Sequence, residues 1–310
     1  MLDGALSLLM RADLVAIHLG LALVMSSLAS ELWMEGRRSA WATGVVAQAA
    51  QARQTGFLLG LIGLGASLWF EAAAMSESPL FAAGAALGAL LAHTHYGHAA
   101  LVGLFAWLAA AGFLRVSHVG ARKLVLFVAG LSGVCVFVVT RSAVSHAASQ
   151  GDLTVDVAVD AIHLALVCLW VGVVIAGARL MIPSEALPAA DRSDVWRWVS
   201  KMSSTATVAI AGILASGLFK IWRGWMDAGS LGTYIDSAYG HALVVKLALV
   251  AVAATLGGLN RFVGLPRLQA QDQGGGHRWL LLVLRAEACT LLLVLVAAAV
   301  LSSSELPGTS

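Results

Sequence analysis

Residues 157–182 read VAVDAIHLALVCLWVGVVIAGARLMI. The only fixed charges in this run are Asp160 and Arg179. An α-helix rises about 1.5 Å per residue, so about 20 apolar residues cross the roughly 30 Å hydrocarbon core of a bilayer. A surface helix of a soluble protein needs a polar face, and this run has none. It therefore reads as a transmembrane helix, and that decides the fold class.

Outward from it the same pattern recurs at 12–33, 55–75, 97–114, 122–145, 203–222, 240–260 and 279–302, eight spans with the first. The composition agrees. Of 310 residues, 59% are hydrophobic and 12% are charged, with a mean hydropathy of +0.86. An ordinary soluble domain is about 25% charged. The expected fold is an all-α integral membrane protein with eight transmembrane helices. The first span is too long and too poor in N-terminal positive charge for a cleaved signal peptide, and it has no small-residue cleavage site before Glu31. It is expected to be retained. Residues 80–93 (LFAAGAALGALLAH) are apolar but too short to span, so they predict an interfacial or re-entrant helix.

The loops predict orientation. Arg37, Arg38 and Arg53 follow the first span, Arg115, Arg122 and Lys123 the third, Arg179, Arg192, Arg197 and Lys201 the fifth, and Arg261, Arg267 and Arg278 the seventh. Thirteen of the 19 basic residues thus fall on one side. The alternate loops hold Glu71, Glu77, Asp152, Asp156, Asp227 and Asp236. Arg and Lys accumulate in short cytoplasmic loops, so both termini are expected outside.

The chain also repeats itself. Tyr96-Gly97-His98-Ala99 opens the third span and Tyr239-Gly240-His241-Ala242 the seventh, 143 residues later. Ile17-His18-Leu19 and Ile162-His163-Leu164 recur at an offset of 145. We expect two parallel four-helix repeats, residues 1–146 and 147–310, related by an axis along the membrane normal.

Seven of the nine histidines map to the outer side: His18, His93, His95, His98, His146, His163 and His241. Imidazole suits copper, zinc, iron and nickel, and an ionisable group in a membrane is a functional candidate. The HTHYGH run places His93, His95 and His98 within six residues, a candidate entry site. Thioether favours Cu(I), and Met75 lies on the same side near Glu71. Met25, Met34, Met181, Met202 and Met226 lie in or near other helices. Asp156, Asp160 and His163 stand at i, i+4 and i+7, so a carboxylate has the position to orient a ligating imidazole. Asp13 and His18 are less well spaced for that. Lys246, Arg285 and Glu287 read as structural or proton-linked groups. Gly60, Gly63, Gly65, Gly212, Gly257 and Gly258 suit close helix packing.

Several chemistries lack their motifs. Cys135, Cys168 and Cys289 sit in apolar runs without paired spacing, which argues against disulfides and CxxC metal sites. The sequence has no HExxH, Walker A, GxGxxG or GxSxG pattern. No enzymatic site is expected, and any transport must be passive or driven by a gradient or partner. No nucleic acid is expected as a partner.

Residues 160–174, DAIHLALVCLWVGVV, resemble the H-x-x-x-x-x-x-W-x-G-G helix of the copper resistance protein D (CopD) family. Ser145-His146-Ala147 is similar to that family's GHA ending of the fourth helix. Tyr239-Gly240-His241 through Lys246 resembles its Y-G-x-x-L-x-x-K pattern, Asn260-Arg261 its N-R pattern, and Arg285 with Glu287 its R-x-x-E opening approximately. Ser145 replaces a Gly, Val173 the second Gly, and Ser237 and Ala238 stand around the usual Thr. The likeness covers most of the chain and is best over 140–305.

The resemblance implies a bacterial inner-membrane protein that moves copper from the periplasm, often beside a periplasmic copper-binding partner, and carries over His146, His163 and His241. The expected path starts at an outer His/Met surface, continues between the repeats near His18, His98, His163 and His241, and then runs inward past Met and Cys groups. Two rivals stay open. Paired imidazoles at one depth also hold haem b in membrane cytochromes, and a copper-binding assembly factor without transport has the same sequence features.

Overall fold

The computed structural model describes residues 2–116, 123–179, 189–228, 231–269 and 275–304. Those residues form eleven α-helices and no strand: α1 Leu2–Trp33, α2 Ala40–Met75, α3 Gly84–His93, α4 His95–Val116, α5 Lys123–Ala143, α6 Val155–Arg179, α7 Ala189–Ala228, α8 Leu231–Ile235, α9 Ala238–Leu259, α10 Leu265–Gln269 and α11 Gly275–Ser302. Eight helices are long and apolar enough to cross a membrane. They match the eight expected spans, and the protein is an all-α membrane protein. The stretch 80–93 forms a short 3₁₀ turn, Leu80–Ala82, followed by the ten-residue α3.

Three boundaries differ from expectation. α1 begins near the N-terminus rather than at residue 12, so His18 stands at mid-helix. α2 begins at Ala40 rather than 55, and α7 at Ala189 rather than 203. Arg53, Arg192, Arg197 and Lys201 are therefore helical residues and not loop residues. The cause is local. Residues 45–53 are rich in Ala and Gln, which propagate helix well, and 189–211 contain neither Pro nor Gly. At 40 residues, α7 is about 60 Å long, twice the hydrocarbon core.

The chain packs as two compact units. Unit 1 comprises 1–20 and 57–165, and unit 2 comprises 21–56 and 166–310. Each unit draws on both halves of the chain, because α1, α2 and α6 each contribute to both.

In unit 1, Trp107 is fully buried. Its ring lies 4.3 Å from that of Phe137 and 4.8 Å from that of Phe57, and its Nε1–H donates to the Phe57 carbonyl at 3.0 Å. α4 and α5 pack closely through Gly103, Gly130 and Gly133. A second cluster, Leu68, Ala72, Ala83, Leu90 and Ala100, fixes α3 against α2 and α4. The Trp69 Nε1–H donates to the Leu80 carbonyl at 2.8 Å and ties the turn before α3 to α2.

In unit 2, α6 packs so closely on α1 that a Cβ on Gly172 would collide with the Ala22 carbonyl. Trp33 and Trp198 meet edge to face at 5.5 Å. The start of α2 is clasped by α7. Ser39 Oγ accepts from Ala42 N–H at 3.1 Å, Asp191 Oδ1 accepts from Trp41 N–H at 3.0 Å, and Asp194 Oδ2 accepts from Ser39 O–H at 2.7 Å. These bonds satisfy donors that every helix leaves orphaned at its first turn. Arg53 pairs with Glu31, both nearly buried.

Candidate metal centre

The HTHYGH segment is a helix break. His93 ends α3 and His95 starts α4. Between them Thr94 is extended, its O–H donates to the Leu90 carbonyl at 2.6 Å, and its Oγ1 accepts from Gly97 N–H at 2.9 Å. Thr94 thus caps both helices. A Cβ at Gly97 would strike the Leu90 carbonyl, so only glycine lets α4 start this close to the end of α3.

The second Tyr-Gly-His segment is built alike. Ser237 Oγ accepts from Gly240 N–H at 2.9 Å, and its O–H donates to the Tyr234 carbonyl at 2.8 Å. A Cβ at Gly240 would strike the Tyr234 and Ile235 carbonyls. The helices that follow, α4 and α9, are both 22 residues long. The local structure of the motif is duplicated along with its sequence. Just before it, Tyr234 is buried against Gly224 of α7, and its ring lies 5.7 Å from that of Tyr239. Burial pushes the Tyr234 hydroxyl above its ordinary pKa, offset in part by its bond to Tyr239.

Six of the seven candidate histidines belong to unit 1, and His241 belongs to unit 2. His93, His95, His98 and His146 are exposed, while His18 and His163 are half-buried within α1 and α6. Met75, the last residue of α2, is exposed too. His95 Nε2 lies 2.8 Å from Asp152 Oδ2, and His98 Nε2 lies 3.2 Å from the Ala92 carbonyl. Among the described residues, no three His, Cys, Asp or Glu side chains converge on one point that could hold a metal ion. Met181 lies outside the described residues; Met34 and Met202 are buried, and Met226 is exposed.

Ser145 accounts for its own departure from the GHA pattern. Its Oγ accepts from Ala147 N–H at 3.2 Å, and its O–H lies 2.8 Å from the Ser142 carbonyl and 3.3 Å from Asp160 Oδ2. The hydroxyl thereby links the turn carrying His146 to the helix carrying His163. Asp13 accepts from Ser67 O–H at 2.5 Å and so joins α1 to α2. Arg141 of α5 acts electrostatically on both Asp13 and Glu71. Unit 1 therefore combines exposed and half-buried imidazoles with partly buried charges.

Sequence reasoning missed one constellation. In unit 2, Glu287 Oε1 accepts from Trp170 Nε1–H at 3.2 Å and its Oε2 from Asn260 Nδ2–H at 3.0 Å. Each residue belongs to a separate motif quoted above, but 117 and 27 residues separate them. Elsewhere in unit 2, a cleft of about 30 Å³ is lined by Ser26, Ser27, Ser30, Gln48 and Arg179. It offers hydroxyl, amide and guanidinium groups, none of them a copper ligand of the imidazole or thioether type.

Residues 196–301, from α7 through most of α11, match the family model described as copper resistance protein D. The chain is similar to that family over this segment. His241, Asn260 and Glu287 fall inside it, whereas His146, His163 and Trp170 precede it. Over 162 residues the chain is 30% identical to copper transport protein CutJ of Bacillus subtilis (strain 168). That alignment covers 52% of this chain but 28% of the relative. No solved structure matches the chain.

Proposed function

We propose that the protein is a copper carrier of the bacterial inner membrane, moving copper from the periplasm toward the cytoplasm. The observation that carries this reading is the similarity to the CopD family over 196–301. A relative named as a copper transport protein supports it, and so does the donor chemistry of unit 1. Copper is cargo here, captured by His93, His95, His98, His146 and Met75 and passed to the half-buried His18 and His163. Imidazole and thioether suit that cargo, and exchange between neighbouring ligands allows it to move on. His241 offers the corresponding imidazole in the second repeat. Both termini face the periplasm in this reading, where a copper-binding protein delivers the metal. The role is that of a carrier, without a catalytic step.

The test is elemental analysis and an optical spectrum of the detergent-purified protein, wild type beside His163→Ala. Bound copper without a Soret band, reduced in the variant, is the expected result. A Soret band that disappears in the variant would overturn the copper reading in favour of haem b held by paired imidazoles. Copper influx into proteoliposomes separates a carrier from an assembly factor, which binds the metal but does not pass it.

A further inference from the structure

Glu287 is 2% exposed within α11. Its partners, Trp170 of α6 and Asn260 at the end of α9, are neutral. None of the ion pairs recorded among the described residues involves it. Arg285 lies on the exposed face of α11. Arg261 is turned to Ser203, with Nη1 at 3.2 Å from Oγ. Lys246 of α9 precedes Gly257 by three turns, about 16 Å along the axis. Cys168 is buried one half-turn before Trp170. An ionised carboxylate without a counter-charge in such a place costs several kcal/mol, more than two neutral hydrogen bonds offset. The group therefore needs a proton or a cation at least part of the time.

Two further features favour a proton that comes and goes. Asn260 is 6% exposed, and its Oδ1 has no hydrogen-bond partner. An amide turned over presents an acceptor where it presented a donor. With Glu287 ionised, Asn260 Nδ2–H donates to Oε2. With Glu287 protonated, Oε2–H donates to Oδ1. In each state one side chain keeps the hydrogen bond to Glu287 Oε2. In addition, α9 leaves Asn260 through a π-helical turn, Asn260–Gly264, the kind of irregularity that clusters at functional sites. At Gly257 a Cβ would stand 3.0 Å from Oε1, so the missing side chain leaves room for the carboxyl to adjust.

We infer that Glu287, Asn260 and Trp170 form a proton-binding site inside unit 2, loaded and unloaded at Glu287 Oε2 while Asn260 reverses its amide. One O–H bond forms on uptake and the same bond breaks on release, and no redox partner is involved. The inference stands on the triad and is independent of which cargo the protein carries. For a membrane protein without a nucleotide-hydrolysing motif, such a site is a means of coupling to a proton gradient.

The test uses the full-length protein in detergent and dicyclohexylcarbodiimide, which labels protonated carboxyls in apolar surroundings, with peptide mass spectrometry to locate the adduct. Labelling of Glu287 at about pH 6 that falls at least tenfold by about pH 9 is expected. Glu287→Gln keeps the shape and removes the adduct. Trp170→Phe keeps an aromatic ring, removes one donor and moves the half-labelling point by about one pH unit. Labelling that is independent of pH would overturn the proposal. So would labelling confined to Asp13 and Glu71, or protection of Glu287 by sodium or potassium at fixed pH, which would make this a metal-cation site.

Discussion

The two Tyr-Gly-His segments share a backbone and differ in chemistry. Thr94 and Ser237 make the same pair of bonds, and Gly97 and Gly240 make the same close approach. Yet His93-Thr94-His95 in the first copy is matched by Asp236-Ser237-Ala238 in the second. The cap needs the hydroxyl and the glycine, and it tolerates either set of neighbours. The cap itself therefore does not depend on His93 or His95. Their presence in one copy alone marks them for the copper test below.

The largest way to break this comparison is at the glycines. Gly97→Ala and Gly240→Ala each force a methyl group onto backbone carbonyls, an overpacking that costs about 2–3 kcal/mol. Thermal unfolding in detergent should fall in both, and a loss in one alone would end the equivalence. Next comes the pair of histidines. His93→Ala with His95→Ala should lower bound copper about tenfold, a change worth about 1.4 kcal/mol. The unfolding temperature should hold, because the exposed His95–Asp152 contact contributes at most about 1 kcal/mol. Copper binding unchanged by this double substitution would return the run to the category of a solvated loop. Smaller still, Thr94→Ala and Ser237→Ala should each cost about 1 kcal/mol of stability through the lost cap. Exchanging the hydroxyls, Thr94→Ser with Ser237→Thr, should stay within about 0.5 kcal/mol by the same measurement.

The eight spans were legible because bilayer crossing is a one-dimensional property, a sufficient length of apolar sequence. The Tyr-Gly-His duplication was legible because its cap is local, made within a few residues of itself. The start of α2 was hidden by its Gln and Thr residues and Arg53, and that of α7 by scattered Arg, Lys and Asp residues that look like a loop. Two of the α7 charges prove to be the clasp itself: Asp191 accepts from the Trp41 amide and Asp194 from the Ser39 hydroxyl, from a distant part of the chain. The Glu287 triad was hidden for the same reason. Trp170, Asn260 and Glu287 each stood out alone, but nothing short of the fold shows that α6, α9 and α11 bring them together. For the histidines, sequence showed how many there are and where they fall along the helices. It did not show which of them are half-buried, since α1 runs further toward its N-terminus than hydropathy marks.

The clasp at the start of α2 also has a history in the life of the chain. The Asp191 carboxylate that receives the Trp41 amide is made 150 residues after it. At roughly 5–20 residues per second, the ribosome takes about 8–30 seconds to deliver it. Throughout that interval the first turn of α2 has Ser39 but neither aspartate. Arrival of the opening turns of α7 is thus the moment at which the start of α2 is sealed. A nascent protein arrested before that point presents an unfinished helix end, with the Trp41 amide lacking its acceptor.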